Sequence, residues 1–294
     1  MSITSSSLRL AFRRSDTARD AGLTTPADIR RFDDIVYGAD AEWEVLDVYR
    51  PRSADMEPLP VIVSVHGGGW VYGSKEVYQF YCMDLAQRGF AVVNFSYHLA
   101  PERKFPTQLE ETSRVFHWVL SHAAEYGFDA DAVFAVGDSA GANLLGLFCA
   151  MCADPVYAAA YAFSPPPGFV PRAVAFNCGL YRVDEDASPL SLSRLLLGDY
   201  MPNRGSREEL DRIDLISHVS GGFPPVFLMT ANADFLREQA PPMAERLAAV
   251  GAAYESRCYG DAENKLQHVF HCDIRNPSAR LCSDEECAFF RRFL

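Results

Sequence analysis

The chain lacks the features that mark membrane proteins and nucleic-acid-binding proteins. None of its apolar runs approaches the roughly twenty residues that span a bilayer. The first residues include Arg9, Arg13 and Arg14 but contain no uninterrupted apolar core of the kind a secretory signal has. Acidic residues outnumber basic ones, 39 to 27, and the formal net charge of −12 argues against a nucleic-acid or anionic-membrane partner. We therefore expect a cytoplasmic protein with a small-molecule partner.

Motifs for cofactors, metals and disulfide frameworks are also missing. The eight cysteines are scattered through a long chain without a secretory pattern, so we expect reduced thiols. Cys149 and Cys152 have the spacing of half a metal site, yet no second pair accompanies them and they lie in a predicted helix. No phosphate-binding glycine loop and no internal repeat is present. We expect no cofactor and no metal.

The composition is that of one soluble globular domain covering residues 1–294, with 49% hydrophobic and 22% charged residues. Short apolar runs alternate with helical patterns, which predicts an α/β fold with a mostly parallel central sheet flanked by helices. The predicted strands cover residues 44–49, 60–65, 90–96, 132–137, 171–177, 224–230 and 253–259.

The clearest chemical signal is a serine framed by glycines. The apolar run 132–136 predicts a strand, residues 142–150 predict a helix, and Ser139 stands between them. A chain that turns sharply from strand to helix needs small residues on either side of the turn, which Gly137 and Gly141 supply. Such a turn exposes the serine hydroxyl, which indicates a nucleophile for acyl transfer.

A second glycine-rich loop follows the predicted strand 60–65. Acyl transfer needs backbone amides aimed at the oxygen that becomes negative in the tetrahedral intermediate. The amides of Gly67 and Gly68, together with that of Ala140, are candidates for this oxyanion hole. His66 opens the loop, and we favour a role in bracing the loop by hydrogen bonding over a role as catalytic base.

These motifs together resemble the hormone-sensitive-lipase-like branch of the α/β-hydrolases. The resemblance is carried by residues 66–70 (His-Gly-Gly-Gly-Trp) and 137–143 (Gly-Asp-Ser-Ala-Gly-Ala-Asn). Residues 97–102 (Tyr-His-Leu-Ala-Pro-Glu) resemble a structural loop of that branch, and the similarity spans roughly residues 43–294. The resemblance implies an α/β-hydrolase fold with a helical cap.

The segment 230–238 is similar to the acid segment of that branch, which usually reads Gly-x-Asp-Pro-Leu-Arg-Asp. This chain departs from it at Asn232, Phe235 and Glu238, and it carries His98 where the structural loop usually has arginine. The resemblance implies that Asp234 is the catalytic acid.

The resemblance also implies a histidine after the acid in chain order, and both His268 and His271 satisfy that order. His268 is the better candidate because residues 268–270 (His-Val-Phe) resemble the segment that carries the base. His268 would take the proton of the Ser139 hydroxyl, and Asp234 would orient the imidazole. Asp138 is interpreted as a supporting residue beside the nucleophile rather than a proton carrier.

Two segments fall outside the alternation of strands and helices. Residues 1–42 are polar and helix-tending, and residues 179–222 are inserted between two predicted strands. The resemblance implies that both are cap elements that shape the substrate pocket.

The implied function is hydrolysis of small or short-chain acyl esters by a serine carboxylesterase, with a homodimer as a reasonable assembly. An amidase or arylformamidase-type hydrolase is an alternative, because the same residues serve amide substrates on this fold. A non-catalytic receptor for a small ligand on the same scaffold is a further alternative.

Overall fold

Eight strands form one central sheet in the computed structural model, which describes residues 2–183, 188 and 191–294. In chain order the strands are β1 Ile29–Val36, β2 Val45–Pro51, β3 Leu59–Val65, β4 Ala91–Phe95, β5 Phe128–Asp138, β6 Val174–Asn177, β7 Val226–Ala231 and β8 Tyr254–Tyr259. They are ordered β1-β2-β4-β3-β5-β6-β7-β8 across the sheet. The pairings of β2 with β1 and with β4 are antiparallel, and the other pairings are parallel. The mostly parallel sheet that the sequence predicts is confirmed.

The seven predicted strands all form, with bounds that differ from the predictions by a few residues. The apolar runs predict the strands well because β3 to β7 are buried between two layers of helices and therefore need apolar residues on both faces. The largest difference lies in β5, which begins at Phe128 rather than at the apolar run from residue 132.

The prediction that residues 1–42 lie wholly outside the sheet is wrong for residues 29–36. They form β1, the edge strand that pairs with β2. The strand was hidden because its sequence is polar, Asp34 has a positive φ of 57°, and the register shifts between Phe32 and Ile35. An edge strand tolerates such residues since one side of it faces water. The Asp34 carboxylate uses this position to pair with Lys75 at 2.7 Å.

Helices cover both faces of the sheet. Their bounds are α1 Ile3–Asp20, α2 Lys75–Ala86, α3 Thr107–Ser121, α4 Ala123–Tyr126, α5 Ala140–Ala153, α6 Pro155–Ala158, α7 Leu192–Tyr200, α8 Arg207–Ile213, α9 Leu215–His218, α10 Ala240–Ala249 and α11 Pro277–Arg291. Within the residues described, none of these helices combines the length and the apolar character needed to cross a bilayer. The two faces of the sheet carry separate apolar cores, with α3 and α5 on one face and α2 and α11 on the other.

The segments predicted as cap elements contribute α1, α7, α8 and α9. Helix α1 packs against α7, and the hydroxyls of Ser2 and Ser5 both donate to the carboxylate of Asp199 in α7. Arg9 of α1 fixes the helix to the body of the protein through a bidentate ion pair with Glu102. Residues 184–187, 189 and 190 of the predicted segment 179–222 lie outside the described residues.

Candidate active site

The turn between β5 and α5 places Ser139 at the carboxyl end of the central strands, where open parallel sheets bind ligands. Ser139 has φ 50° and ψ −118°, a conformation that costs a non-glycine residue free energy and persists only when its surroundings enforce it. The neighbouring glycines are necessary here. A Cβ on Gly137 would lie 2.7 Å from the Gly141 carbonyl oxygen, and one on Gly141 would lie 2.1 Å from the Val65 carbonyl oxygen.

The structure brings Ser139, His268 and Asp234 together from three separate loops. The His268 Nε2 atom lies 3.0 Å from the Ser139 Oγ atom. The other ring nitrogen, Nδ1, lies 2.7 Å from Asp234 Oδ1. Because a carboxylate only accepts hydrogen bonds, Nδ1 carries the proton and Nε2 is free to accept one from the serine hydroxyl. This is the geometry of an activated serine nucleophile.

Asp234 is itself held in place by its surroundings. Its Oδ1 atom accepts the Leu236 N–H at 2.9 Å, and its Oδ2 atom accepts the Thr230 hydroxyl at 3.1 Å. Burial raises the pKa of Asp234, but the hydrogen bond and charge of His268 outweigh it, so the pKa lies below its ordinary value. The carboxylate is therefore ionised at neutral pH and can stabilise an imidazolium.

A thiol that the sequence did not single out stands beside this carboxylate. In the described part of the chain, the side chains of Cys178, Asp234 and His268 are the one group with metal-ligand geometry, their ligand atoms lying within 4.8 Å of one another. Two of the three belong to the hydrogen-bonded chain that leads to Ser139, so a metal ion here would compete with that chain. The absence of a resident metal stays a prediction.

His271 and His66 occupy different positions from His268. The His271 ring is buried edge-on against Tyr81, with centroids 4.9 Å apart, and burial lowers its pKa to about 3. The His66 ring stacks on Tyr97 at 3.9 Å, and its Nδ1 atom donates to the Gly67 carbonyl at 2.8 Å. Burial lowers the pKa of His66 to about 4. These contacts suit loop support.

The glycine loop departs from the prediction at Gly67. Its N–H donates to Asp138 Oδ1 at 3.0 Å and approaches the Tyr78 hydroxyl oxygen at 3.1 Å. Tyr78 in turn donates to Asp138 Oδ2 at 2.8 Å. An amide that already donates to a buried carboxylate cannot also serve an oxyanion, so the assignment of Gly67 to the oxyanion hole is wrong. The contact instead ties the glycine loop to Asp138, the residue before Ser139.

The amides of Gly68 and Gly69 make no hydrogen bond with any described residue. Gly68 has φ 102° and Gly69 has φ 61°, conformations that glycine adopts readily. Ala140 is the first residue of α5, and the first N–H groups of a helix have no partner within the helix. The sequence did not single out Gly69, because three consecutive glycines do not reveal which N–H donates to a distant carboxylate.

Asp138 is almost fully buried beside Ser139. Burial raises the pKa of Asp138 to about 6, although the Tyr78 hydroxyl and the Gly67 N–H favour its charged form. The supporting role expected from the sequence agrees with these contacts.

A second buried carboxylate, Glu286, supports Ser139 through Asn177. Glu286 of α11 accepts hydrogen bonds from Asn177 Nδ2 at 2.8 Å and from the Tyr81 hydroxyl at 3.1 Å. Asn177 ends β6, and its backbone carbonyl accepts the Ser139 N–H at 3.0 Å. Burial raises the pKa of Glu286 to about 7. A fixed Asn177 thus helps to hold the strained backbone of Ser139.

We expect the Glu286→Gln variant to lose part of the pH dependence of stability. In the unfolded chain Glu286 releases its proton near pH 4.5, but in the folded protein only near pH 7. Its contribution to stability is therefore present below pH 4.5 and is lost as the pH rises towards 7. Between pH 5 and 8 the unfolding free energy of the wild type should fall by about 2 kcal/mol relative to Glu286→Gln.

Denaturant unfolding of both proteins at pH 5 and 8 measures this difference. Glu238→Gln is the matched control, because the Glu238 side chain is 80% exposed. Parallel stability changes in the wild type and in Glu286→Gln would show that Glu286 keeps an ordinary pKa in the folded protein.

The loop of residues 97–102 supports the glycine loop from outside. The Tyr97 hydroxyl donates to the His66 carbonyl at 2.8 Å. His98 contacts Glu111 twice, through its N–H at 2.8 Å and its Nδ1 atom at 2.6 Å. His98 thus links the loop of residues 97–102 to Glu111 of α3.

Comparison with known proteins identifies relatives of this chain. A sequence model of the α/β-hydrolase fold matches residues 62–272. Carboxylesterase NlhH of Mycobacterium tuberculosis is 28% identical over 268 residues, which cover 81% of this chain and 77% of that protein. Esterases LipC and LipQ of the same species are 28% and 27% identical, over 74% and 87% of this chain. The matches span only 55% and 63% of the lengths of LipC and LipQ.

Solved structures share the fold at low sequence identity. Esterase B from Lactobacillus rhamnosis superposes with a TM-score of 0.88 and 23% identity, covering 99% of this chain and 95% of that one. A hyperthermophilic esterase from Pyrobaculum calidifontis gives a TM-score of 0.80 and 23% identity, covering 98% and 93%. The chain belongs to the α/β-hydrolase fold family, in its hormone-sensitive-lipase-like branch.

Proposed function

We propose that this protein is a serine carboxylesterase that hydrolyses small acyl esters through an acyl-enzyme on Ser139. The observation that carries the proposal is the continuous hydrogen-bonded chain from Ser139 Oγ through His268 to Asp234, with contacts of 3.0 and 2.7 Å. The names of the curated relatives, which include esterases and a carboxylesterase, support the reaction class.

The first half-reaction acylates the serine. Ser139 Oγ attacks the ester carbonyl carbon while His268 Nε2 takes the hydroxyl proton, which forms a tetrahedral intermediate. As the carbonyl re-forms, the bond to the alcohol oxygen breaks and His268 returns the proton to that oxygen. The alcohol leaves, and the acyl group stays on Ser139. Asp234 stabilises the imidazolium between the two proton transfers.

The negative oxygen of the intermediate needs backbone donors. We assign this role to the amides of Gly68, Gly69 and Ala140. Gly69 thereby replaces Gly67, whose N–H donates to Asp138. Each such donor contributes about 3 kcal/mol to stabilisation of the transition state in acyl-transfer enzymes.

The second half-reaction repeats these steps with water as the nucleophile. His268 takes a proton from water, the resulting hydroxide attacks the acyl carbon, and Ser139 leaves with the proton from His268. The products are a carboxylic acid and the regenerated serine. The two half-reactions together consume one ester and one water and release one alcohol and one carboxylic acid, with no redox step.

We propose that α1 and the helices α7, α8 and α9, which belong to the described part of the segment 179–222, form a cap that limits the acyl pocket. Leu196 of α7 lies so close to the glycine loop that a Cβ on Gly69 would come within 2.9 Å of its Cδ1 atom. Behind the loop, Trp70 and Tyr200 stack with ring centroids 4.3 Å apart. Bulky side chains packed against the proposed oxyanion donors leave room for a short acyl group rather than a long one.

The proposal is tested with p-nitrophenyl acetate, butyrate and octanoate and the purified protein. We expect the acetate and butyrate to be hydrolysed at least about tenfold more efficiently than the octanoate, since each methylene that does not fit is worth about 1 kcal/mol or more. Preference for octanoate would contradict the short acyl pocket. Turnover of amides but not esters would favour the amidase alternative, and binding without any turnover would favour the receptor.

A further inference from the structure

The residue after the proposed catalytic acid is an exposed aromatic ring. Phe235 exposes 71% of its surface, a large fraction for a phenylalanine. Its ring centroid lies only 4.3 Å from that of His268, with the two planes inclined by 44°.

Phe235 also lines a small cavity beside the site. The cavity has a volume of about 240 Å³, and its apolar wall is formed by Phe235, Leu236, Ile216 and Pro242. One side of it is built on the segment that starts at Leu180, whose N–H donates to the Ser139 carbonyl at 3.1 Å. The other side begins directly after Asp234. The cavity lining thus includes the two residues that follow Asp234, and on its other side Arg182 lies two positions after Leu180, which contacts the backbone of Ser139.

The charges at the rim of this cavity are paired. Arg182 bonds Asp214 at 3.0 Å, and Glu238 pairs with Arg237 at 2.8 Å. The side chain of Gln239 joins the two walls, because its Oε1 atom accepts the N–H groups of Tyr181 and Arg182. Both charged residues that line the cavity, Arg182 and Glu238, are paired, so the cavity suits an uncharged ligand.

The mechanism places one part of the substrate here. His268 must protonate the leaving alcohol, so the alcohol oxygen has to come within about 3 Å of Nε2. The carbon atoms attached to that oxygen then lie beside the imidazole ring, where Phe235 stands. An exposed aromatic ring offers a flat apolar surface, on which another ring packs favourably by offset or tilted stacking.

We propose that Phe235 is the binding platform for the alcohol part of the ester and that it selects uncharged alcohols that carry an aromatic ring. The inference rests on the proposed esterase function and names the alcohol side of its substrate. Phe235 is a specificity-determining residue here, and it takes no part in proton transfer.

Three acetate esters with different alcohols test the inference: benzyl, cyclohexylmethyl and ethyl acetate. In Phe235→Ala we expect kcat/KM for benzyl acetate to fall about tenfold, and kcat/KM for ethyl acetate to change less than about twofold. Phe235→Leu should retain cyclohexylmethyl acetate better than benzyl acetate, because leucine keeps apolar contact but removes the ring. Tyr254→Ala, which removes another exposed aromatic ring, is the control.

Equal losses on all three esters would overturn the inference, because they would show that Phe235 supports the imidazolium of His268 and not the alcohol. Unchanged ratios would overturn it as well. In both cases the wild type still hydrolyses ethyl acetate, so the esterase function stands. If the wild type hydrolyses p-nitrophenyl acetate but none of these three esters, the inference is overturned while the proposed esterase function stands; only failure on the p-nitrophenyl esters as well removes that function.

Discussion

The Ser139→Ala variant is expected to lose ester turnover by about a millionfold in kcat, the loss seen when the nucleophile of a catalytic triad is removed. Alanine lacks the hydroxyl that forms the acyl-enzyme but has the same steric demands on the backbone at φ 50°. The turn between β5 and α5 should therefore keep its shape. Rates with p-nitrophenyl acetate, together with denaturant unfolding, measure both properties.

Ser256→Ala is the control for this experiment, since Ser256 is an exposed serine on β8. We expect normal turnover from the control and normal stability from both variants. Residual turnover of a tenth or more in a folded Ser139→Ala protein would show that the ester is cleaved without this serine.

The second large effect separates the two candidate histidines. We expect His268→Ala to lose kcat by about as much as Ser139→Ala, because nucleophile and base act as a unit. His271 makes no hydrogen bond to Ser139 or Asp234 among the described residues, and its ring packs edge-on against Tyr81. His271→Ala should therefore retain kcat within about tenfold, with a loss of stability from the cavity left in the core.

His271→Phe is a second variant that keeps a ring in the buried position. It still tests the role of His271 if His271→Ala does not fold. Both variants are assayed well below their unfolding temperatures, so that stability does not limit the rate. Comparable losses of kcat in folded His268 and His271 variants would contradict the assignment of His268 as the base.

The sequence predicts the strands and the order of the motifs well, for physical reasons. Central strands of a parallel sheet are buried on both faces, so β3 to β7 appear as apolar runs. The turn at Ser139 needs glycines wherever it occurs, since added Cβ atoms at Gly137 and Gly141 would meet backbone oxygens. Such local requirements are visible in a short segment of sequence.

The structure adds what depends on distant parts of the chain. The N–H of Gly67 is taken by Asp138, which lies 71 positions further along. Asn177 is fixed by Glu286 across 109 positions. No periodicity or local motif reports such pairs, because each is set by how separate strands and helices pack. The polar strand β1 was missed for a related reason, since its place at the sheet edge is decided by pairing with β2.

Labelling with a serine-directed phosphonate, followed by mass analysis of the peptides, tests the central claim most directly. The reagent forms a stable bond only with an activated serine, and that activation needs the 3.0 Å contact between Ser139 Oγ and His268 Nε2. We predict a single adduct on the peptide that contains Ser139, loss of activity in proportion to labelling, and no adduct in Ser139→Ala. An adduct on another residue, or full activity after Ser139 has been labelled, would contradict the account.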